Sequence, residues 1–382
     1  GVGVGLTALT MATARDHLGD RAARTIALLS VASTAGVGLG YPVAGLLTQI
    51  GGVRSAYGFG LAVTAAALFT AGRVLPRDTS VPDTPAEHAG ASKQPRSVDW
   101  VGAVLLSAGL VAVLLVTSMT HLWIEHARTA AVTLSAGLLL LVAWVTVERR
   151  APQPLVNLAA LRHPAVAGAN LVTIAGAVGV YVPFTLITRY AQTEPVAGYG
   201  FGLTDFESGL VVVPFSVLGF FGGRVAARLQ GRVGPFALLA ANGTLACLAC
   251  CLFATARDSL VWPVMSMVIL GAAVGGFWAA MPGAILTATP IVETAEAMRL
   301  NQPHRSPRFS IGGAITGMIL PGHTSAADRF PTEPGYSTAA WAGAAVLGAS
   351  IVLALLTGVA ARHRARPVAP PKQSSTAVRS KA

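Results

Sequence analysis

Charge is what this sequence has least of. Aspartate, glutamate, lysine and arginine make up 11% of the 382 residues, where a soluble domain carries about 25%. Loops long enough to fold into a soluble catalytic domain are missing too. With 53% hydrophobic residues and a mean hydropathy of +0.62, the chain reads as an integral membrane protein. Cysteine is scarce: Cys247, Cys250 and Cys251 stand together in LACLACC, with no His, Asp or Glu nearby. They read as small packing residues, not metal ligands, and no disulfide framework is implied. No HExxH, no Ser/His/Asp set and no paired carboxylates within an apolar run occur, so catalysis is not expected. The strings GVGVG at 1–5 and GVGLG at 36–40 lie inside apolar runs without a preceding strand or a Lys/Ser pair, which sets aside phosphate loops. The expectation is a non-enzyme with no metal and no cofactor.

What the chain does have is apolar runs. Stretches free of Asp, Glu, Lys and Arg cover 25–50, 55–72, 101–120, 129–147, 164–188, 208–223, 233–256, 259–292, 309–322 and 336–361. Most match the roughly 20 residues that a helix needs to cross a bilayer. The run 208–223 is short but extends outward through Phe206 and inward along Val225–Leu229. The run 259–292 is too long and is expected to end near Pro282 or Pro290. Phe309–Gly322 would rise only about 21 Å, and the prolines and charges of Pro303–Arg308 (PHRSPR) before it read as a damaged or displaced helix start. Gly1–Ala14 lacks the basic stretch and cleavage site of a signal peptide and reads as the second half of a further helix.

The net charge of +11 and pI near 10.4 follow from orientation. If the apolar runs alternate across the membrane, one side receives Arg54, Arg128, Arg189, Arg257 and Arg329, one in each loop, and every other Arg and Lys falls on the opposite side. That is the positive-inside rule, and it places 73–96, Arg149 and Arg150, Arg224–Arg232 and the basic tail in the cytoplasm. Contact with anionic lipid follows; a nucleic-acid partner does not. Arg73–Arg96 is polar and rich in Pro, Ser and Asp, a cytoplasmic loop. The tail from Arg362 is basic and rich in Pro and Ser, the composition of a disordered segment.

Thr25–Ile50 organises the chain. It carries Ala32, Gly36, Gly40 and Ala44 at every fourth position, one helical face of small residues that lets two membrane helices touch backbone to backbone. Gly38 and Gly45 thin the helix further, and Pro42 removes a backbone donor and bends it. Gly36, Gly40, Pro42 and Gly45 are therefore the expected contact at a moving interface. Polar uncharged residues within runs, Asn170, Thr173, Thr185, Asn242 and Ser266, with Tyr181, Trp278 and Met281, are either a cavity for a bulky apolar solute or routine interhelical packing. Span interiors lack ionisable groups, the usual mark of a proton relay.

These residues in this order resemble the major facilitator superfamily, specifically its fourteen-spanner drug:proton antiporters of the EmrB/QacA type. Gly1-Val2-Gly3 resembles the end of that family's fourth-helix motif. Ala35–Leu46 resembles the fifth-helix antiporter motif, in which Pro42 and one glycine match and two glycines do not. Asp99-Trp100-Val101-Gly102 is similar to the opening of the seventh helix, Glu148–Leu158 to the basic linker before the ninth, and Gly202–Pro214 to the start of the tenth. Ala227–Phe236 resembles a decayed cytoplasmic loop motif in which Leu229, Arg232 and Gly234 survive and Gly231 stands at the Asp position. Leu300-Asn301-Gln302 and Ile311–Ala314 resemble the start of the thirteenth helix.

The resemblance implies an all-α membrane protein of major facilitator fold, here about ten complete transmembrane helices plus a partial first one. It implies a remainder of the N-terminal bundle at 1–75, a cytoplasmic loop at 76–98, two linker helices within 99–150, a C-terminal six-helix bundle at 151–361 and the tail at 362–382. It also implies proton-driven efflux of drugs or amphipathic natural products from a bacterial plasma membrane, by a monomer, with Asn170, Thr173, Tyr181, Asn242, Trp278 and Asn301 as cavity candidates and Arg232 and Gly234 in the loop motif. The family's proton-linked acidic group and fourth-helix arginine would precede Gly1, so 1–382 is not expected to transport unaided. The alternatives are a channel or membrane sensor without coupled transport, or a non-functional copy; no ring of like residues or selectivity loop supports a channel.

Overall fold

Long apolar runs in lipid must satisfy every backbone group internally, and helices do so. The computed structural model describes residues 22–74, 100–118, 126–151, 164–288, the positions 312–313, 316–317, 319–320 and 322–324, and residues 330–364. Among the described residues the helices are α1 (Ala22–Val74), α2 (Trp100–Ser118), α3 (Ala127–Glu148), α4 (Pro164–Gln192), α5 (Asp205–Val233), α6 (Pro235–Thr255), α7 (Val261–Ala288) and α8 (Glu333–Arg364), with a 3₁₀ turn at Pro195–Ala197. Among the described residues, seven helices are long and apolar enough to cross a membrane, and a shorter apolar one lies at Trp100–Val116. The stretches Gly1–Ala14, Arg73–Arg96 beyond Val74, Pro303–Arg308, Asn301 and the tail past Arg364 lie outside the described residues.

α1 holds two of the expected runs. Gly51 (φ −134°, ψ 16°) and Gly52 (φ 71°, ψ −177°) leave helical geometry and divide it. The positive φ is open to glycine and strained for residues with a Cβ. The Ser55 hydroxyl closes the break by donating to the Gly52 carbonyl at 2.7 Å and to that of Leu47. α5 starts at a capping box: the Glu207 N–H donates to Thr204 Oγ1 at 3.3 Å, and the Thr204 N–H donates to Glu207 Oε2 at 2.9 Å. Asp205 and Glu207 also sit at the positive end of the helix dipole. At the other end Gly234 (φ 83°) turns the chain directly into α6, whose first residue is Pro235. α7 runs through Pro282 to Ala288.

The helices alternate in direction. The end of α4, the starts of α5, α7 and α8 and the end of α6 share one end of the bundle. There Leu203 N–H donates to the Ala191 carbonyl at 3.0 Å, Gln192 Nε2 to Asp205 at 3.1 Å, and Arg257 pairs with Glu333 at 3.3 Å. The opposite end carries Arg224, Arg228 and Arg232. α5 packs on α7 and on α1, α6 on α7 and α8, and α4 on α8, while α2 packs on α3. The core lies among α4, α6, α7 and α8, where Leu186, Phe253, Met267, Leu270, Tyr336 and Leu347 are fully buried. Lipid supplies no hydrophobic drive between helices, so close backbone approach sets the packing. A Cβ on Gly271 would lie 2.7 Å from the Phe215 Cα, and one on Gly275 2.8 Å from the Gly219 Cα. The pattern was present in sequence as Gly219–Gly223 and Gly271–Gly275, both small-xxx-small pairs.

Candidate functional site

The first half of α1 meets α5 along one line. Gly38, Pro42 and Gly45 are buried, and their spacing of four and three residues places them on one helical face. Opposite them stand Ser216, Gly209 and the first turn of α5. A Cβ on Gly38 would lie 2.7 Å from the Ser216 Cβ; one on Gly209 would lie 2.6 Å from the Pro42 N and Cα; one on Gly45 would overlap the Asp205 carbonyl. The expected ridge differs in register. Gly36, Gly40 and Ala44 are exposed, and nothing lies within 4 Å of a Cβ on Gly36 or Gly40. Two residues of offset turn a helix by roughly 200°, so the line through Gly36 and Gly40 faces away from α5. Pro42 and Gly45 belong to the contacting line, with Gly38 in place of the other two glycines. Both lines are small, and sequence spacing alone does not rank them; Gly209, opposite Pro42, provides the room that ranks them in the fold.

Aromatic rings flank this seam. Tyr41 of α1 meets Phe184 of α4 edge-on at 5.5 Å. Phe184 meets Phe215 of α5 at 5.2 Å and stacks on Tyr181 at 5.9 Å and 23°. Tyr181 in turn lies against Gly312 and Gly313: a Cβ on Gly313 would be 3.3 Å from its Cε1. Three helices and the helical turn at 312–313 thus converge on four rings, of which Tyr41 is 41% exposed. Sequence reasoning picked out Tyr181 but missed Tyr41, Phe184 and Phe215; the signal was Gly209 and Ser216, two small residues seven apart on α5.

Among the other cavity candidates, side-chain hydrogen bonds form within single helices. Asn170 Nδ2 donates to the Val166 carbonyl at 2.9 Å and Thr173 Oγ1 to that of Asn170 at 2.8 Å, both within α4. Asn242 is buried, with Nδ2 on the Leu238 carbonyl at 2.8 Å, and its side chain fills the space a Cβ on Gly276 would need. Trp278 is half-buried and meets Phe277 at 6.0 Å. Asn170, Thr173 and Asn242 thus bond to carbonyls of their own helices, as polar residues in helices do. Asn301 lies outside the described residues. In the loop motif, Gly234 makes the α5–α6 turn and Arg232 is exposed. Cys247 Sγ donates to the Ala344 carbonyl at 3.8 Å.

Two ionisable groups were not anticipated. Glu148 is 2% exposed at the last residue of α3, so the expectation that the spans lack a buried carboxylate is corrected: the helix runs one residue past the apolar stretch. Arg257, read from sequence only as a loop charge, folds back. It donates to Ser337 Oγ at 2.8 Å and to the Phe253 and Ala254 carbonyls at 3.1 Å each, and lies 5.6 Å from the Tyr190 and Phe253 ring centres. Beside it Tyr190, Tyr199 and Tyr336 pack ring on ring. The Tyr199 hydroxyl donates to the Pro331 carbonyl. Burial, and then Tyr336, push the Tyr199 phenol above its ordinary range.

The family model described as Major Facilitator Superfamily matches residues 1–303. The chain is similar to the cephamycin export protein CmcT of Amycolatopsis lactamdurans, 32% identical over 250 residues, which is 63% of this chain and 47% of that protein. It is similar to the puromycin resistance protein pur8 of Streptomyces alboniger, 28% identical over 338 residues, 86% of this chain and 62% of that one. A multidrug resistance protein B homolog of Mycobacterium tuberculosis is 26% identical over 322 residues, 80% and 55% of the two chains. The chain thus spans about half the length of the relatives it matches.

Proposed function

The chain belongs to the Major Facilitator Superfamily, and on that premise we propose that it serves proton-coupled efflux of drugs or amphipathic natural products across a bacterial plasma membrane. The mechanism is alternating access, one helix bundle rocking against the other around a central site, on the fourteen-helix plan. The observation that carries this reading is the seam of Gly38, Pro42 and Gly45 on α5. A contact this thin lets two helices roll on each other without interdigitated side chains to break. The four rings at Tyr41, Tyr181, Phe184 and Phe215 offer apolar, polarisable faces to a planar amphipathic solute. The relatives named for cephamycin export and puromycin resistance support this solute class. The chain works as a monomer, with the proton gradient as its energy source.

The test is a resistance and accumulation assay on the full-length protein in an efflux-deficient host. Expression should lower intracellular drug, and dissipating the proton gradient should restore it. Downhill flux that ignores the gradient would sink the coupled reading.

A further inference from the structure

α5 carries a buried hydroxyl without a partner, and it lies on the seam. Ser216 is 6% exposed, and its Oγ makes no hydrogen bond. Buried hydroxyls are rarely left so, because the desolvated group goes uncompensated. Its neighbours show the usual solutions. Thr185 and Thr188 bond back to carbonyls four residues earlier, at 3.0 and 3.1 Å. Ser350 of α8 reaches across to the Val172 carbonyl of α4 at 3.0 Å.

Across the seam from Ser216 lies a backbone acceptor whose regular helical donor position is held by a proline. In a helix the carbonyl of residue 38 accepts from the N–H of residue 42, and Pro42 has none. The Ser216 Oγ lies 3.1 Å from the point where Gly38 would carry a Cβ, so donor and acceptor belong to residues in direct contact.

We infer that Ser216 is the cross-seam donor to the Gly38 carbonyl, and that this hydrogen bond forms in the opposite state of the transport cycle and is broken in the state described here. Pro42 then has a role besides bending α1: it frees an acceptor. A small roll of α1 on α5 pairs the two groups, and the seam carries a switchable bond between otherwise featureless surfaces. Ser216 is a positioning residue, biasing which state the bundles occupy. The inference rests on the reading of this seam as one that opens and closes.

The test measures the two states directly in the full chain in liposomes. Spin labels go on Ile50→Cys and Val196→Cys, 76% and 83% exposed, with Cys247, Cys250 and Cys251 replaced by Ala. Ser216→Ala should shift the ratio of the populations at the two label distances, toward the state in which the bond is broken, by about fivefold, the weight of one ordinary hydrogen bond. In a Pro42→Ala background, which returns an N–H to the Gly38 carbonyl, the same substitution should shift it by less than about twofold. Equal shifts in both backgrounds, or none in either, overturn the inference. Ser216→Thr and Ser216→Val give a second reading should Pro42→Ala fail to fold. Thr keeps the hydroxyl and should match the parent, while Val should match Ala; Thr and Val behaving alike overturns it. The readout needs no substrate, so its failure is separate from any failure of the efflux assay.

Discussion

Arg257 has a side chain 9% exposed and a partner, Glu333, that is 48% exposed. The two should respond unequally to mutation. Arg257→Ala removes bonds to Ser337, to two carbonyls and to Glu333 at once, and should lower stability by about 2 kcal/mol. Glu333→Gln leaves the guanidinium its other acceptors and should cost about 0.5 kcal/mol, as a half-exposed pair does. Thermal unfolding of the two variants in detergent checks the order, and equal losses would refute it. Tyr199 gives a pH signature in the same place. Its phenol is raised above the ordinary 10.0 by burial, so the folded state keeps a proton that the unfolded state releases. That contribution is complete below pH 10.0 and is lost as pH rises beyond it. The melting temperature should fall more steeply above that pH in the parent than in Tyr199→Phe; parallel curves would refute the assignment. None of this was legible in sequence. Arg257 counted as one loop charge among five because nothing local reveals that the chain brings Ser337 and Glu333 beside it from some 80 positions away.

At the scale of elements, the seams are set by where a Cβ does not fit. Gly275→Ala would place a methyl group 2.8 Å from the Gly219 Cα, a backbone atom that cannot swing aside. It should cost about 1–3 kcal/mol, the range for overpacking, whereas Gly58→Ala, with nothing within 4 Å, should be neutral or slightly stabilising. Comparing folded yield and melting temperature of the pair separates close contact from helix propensity; similar losses would point to propensity. Element positions were largely legible. The apolar runs predict helices near 101–120, 129–147 and 164–188, and these appear as Trp100–Ser118, Ala127–Glu148 and Pro164–Gln192. The outward and inward extension of 208–223 appears as Asp205–Val233, because apolar content, capping and length all act locally. Which face of each helix meets which neighbour was not. Gly36, Gly40 and Ala44 form as good a small-residue line as Gly38, Pro42 and Gly45, and the choice between them depends on Gly209 and Ser216, more than 160 residues on.

For the whole molecule, the charge pattern and the fold agree on which loops share a side, by separate routes. The positive-inside rule sorts Arg189 and Arg257 to one side and Arg224, Arg228 and Arg232 to the other. The hydrogen bonds that join the end of α4 to the start of α5, and the ion pair that joins the end of α6 to the start of α8, gather the first set at one end of the bundle. The tight turn at Gly234 sits at the other. Nothing in the helix packing required that agreement, since a bundle can be inverted in a membrane without changing an internal contact. Orientation is therefore the property that the packing leaves open and the loop charges decide. A cysteine at Val196, 83% exposed beside the first set, should react with a membrane-impermeant thiol reagent added to intact cells. A cysteine at Gly231, exposed between Arg228 and Arg232 with open space at its Cβ position, should react only in inverted vesicles. Moving charge should move the protein: replacing Arg224, Arg228 and Arg232 with Gln should raise the fraction in which Gly231→Cys reacts from outside. If that fraction stays unchanged, the basic residues of α5 do not set orientation, and the charges elsewhere on that side are sufficient.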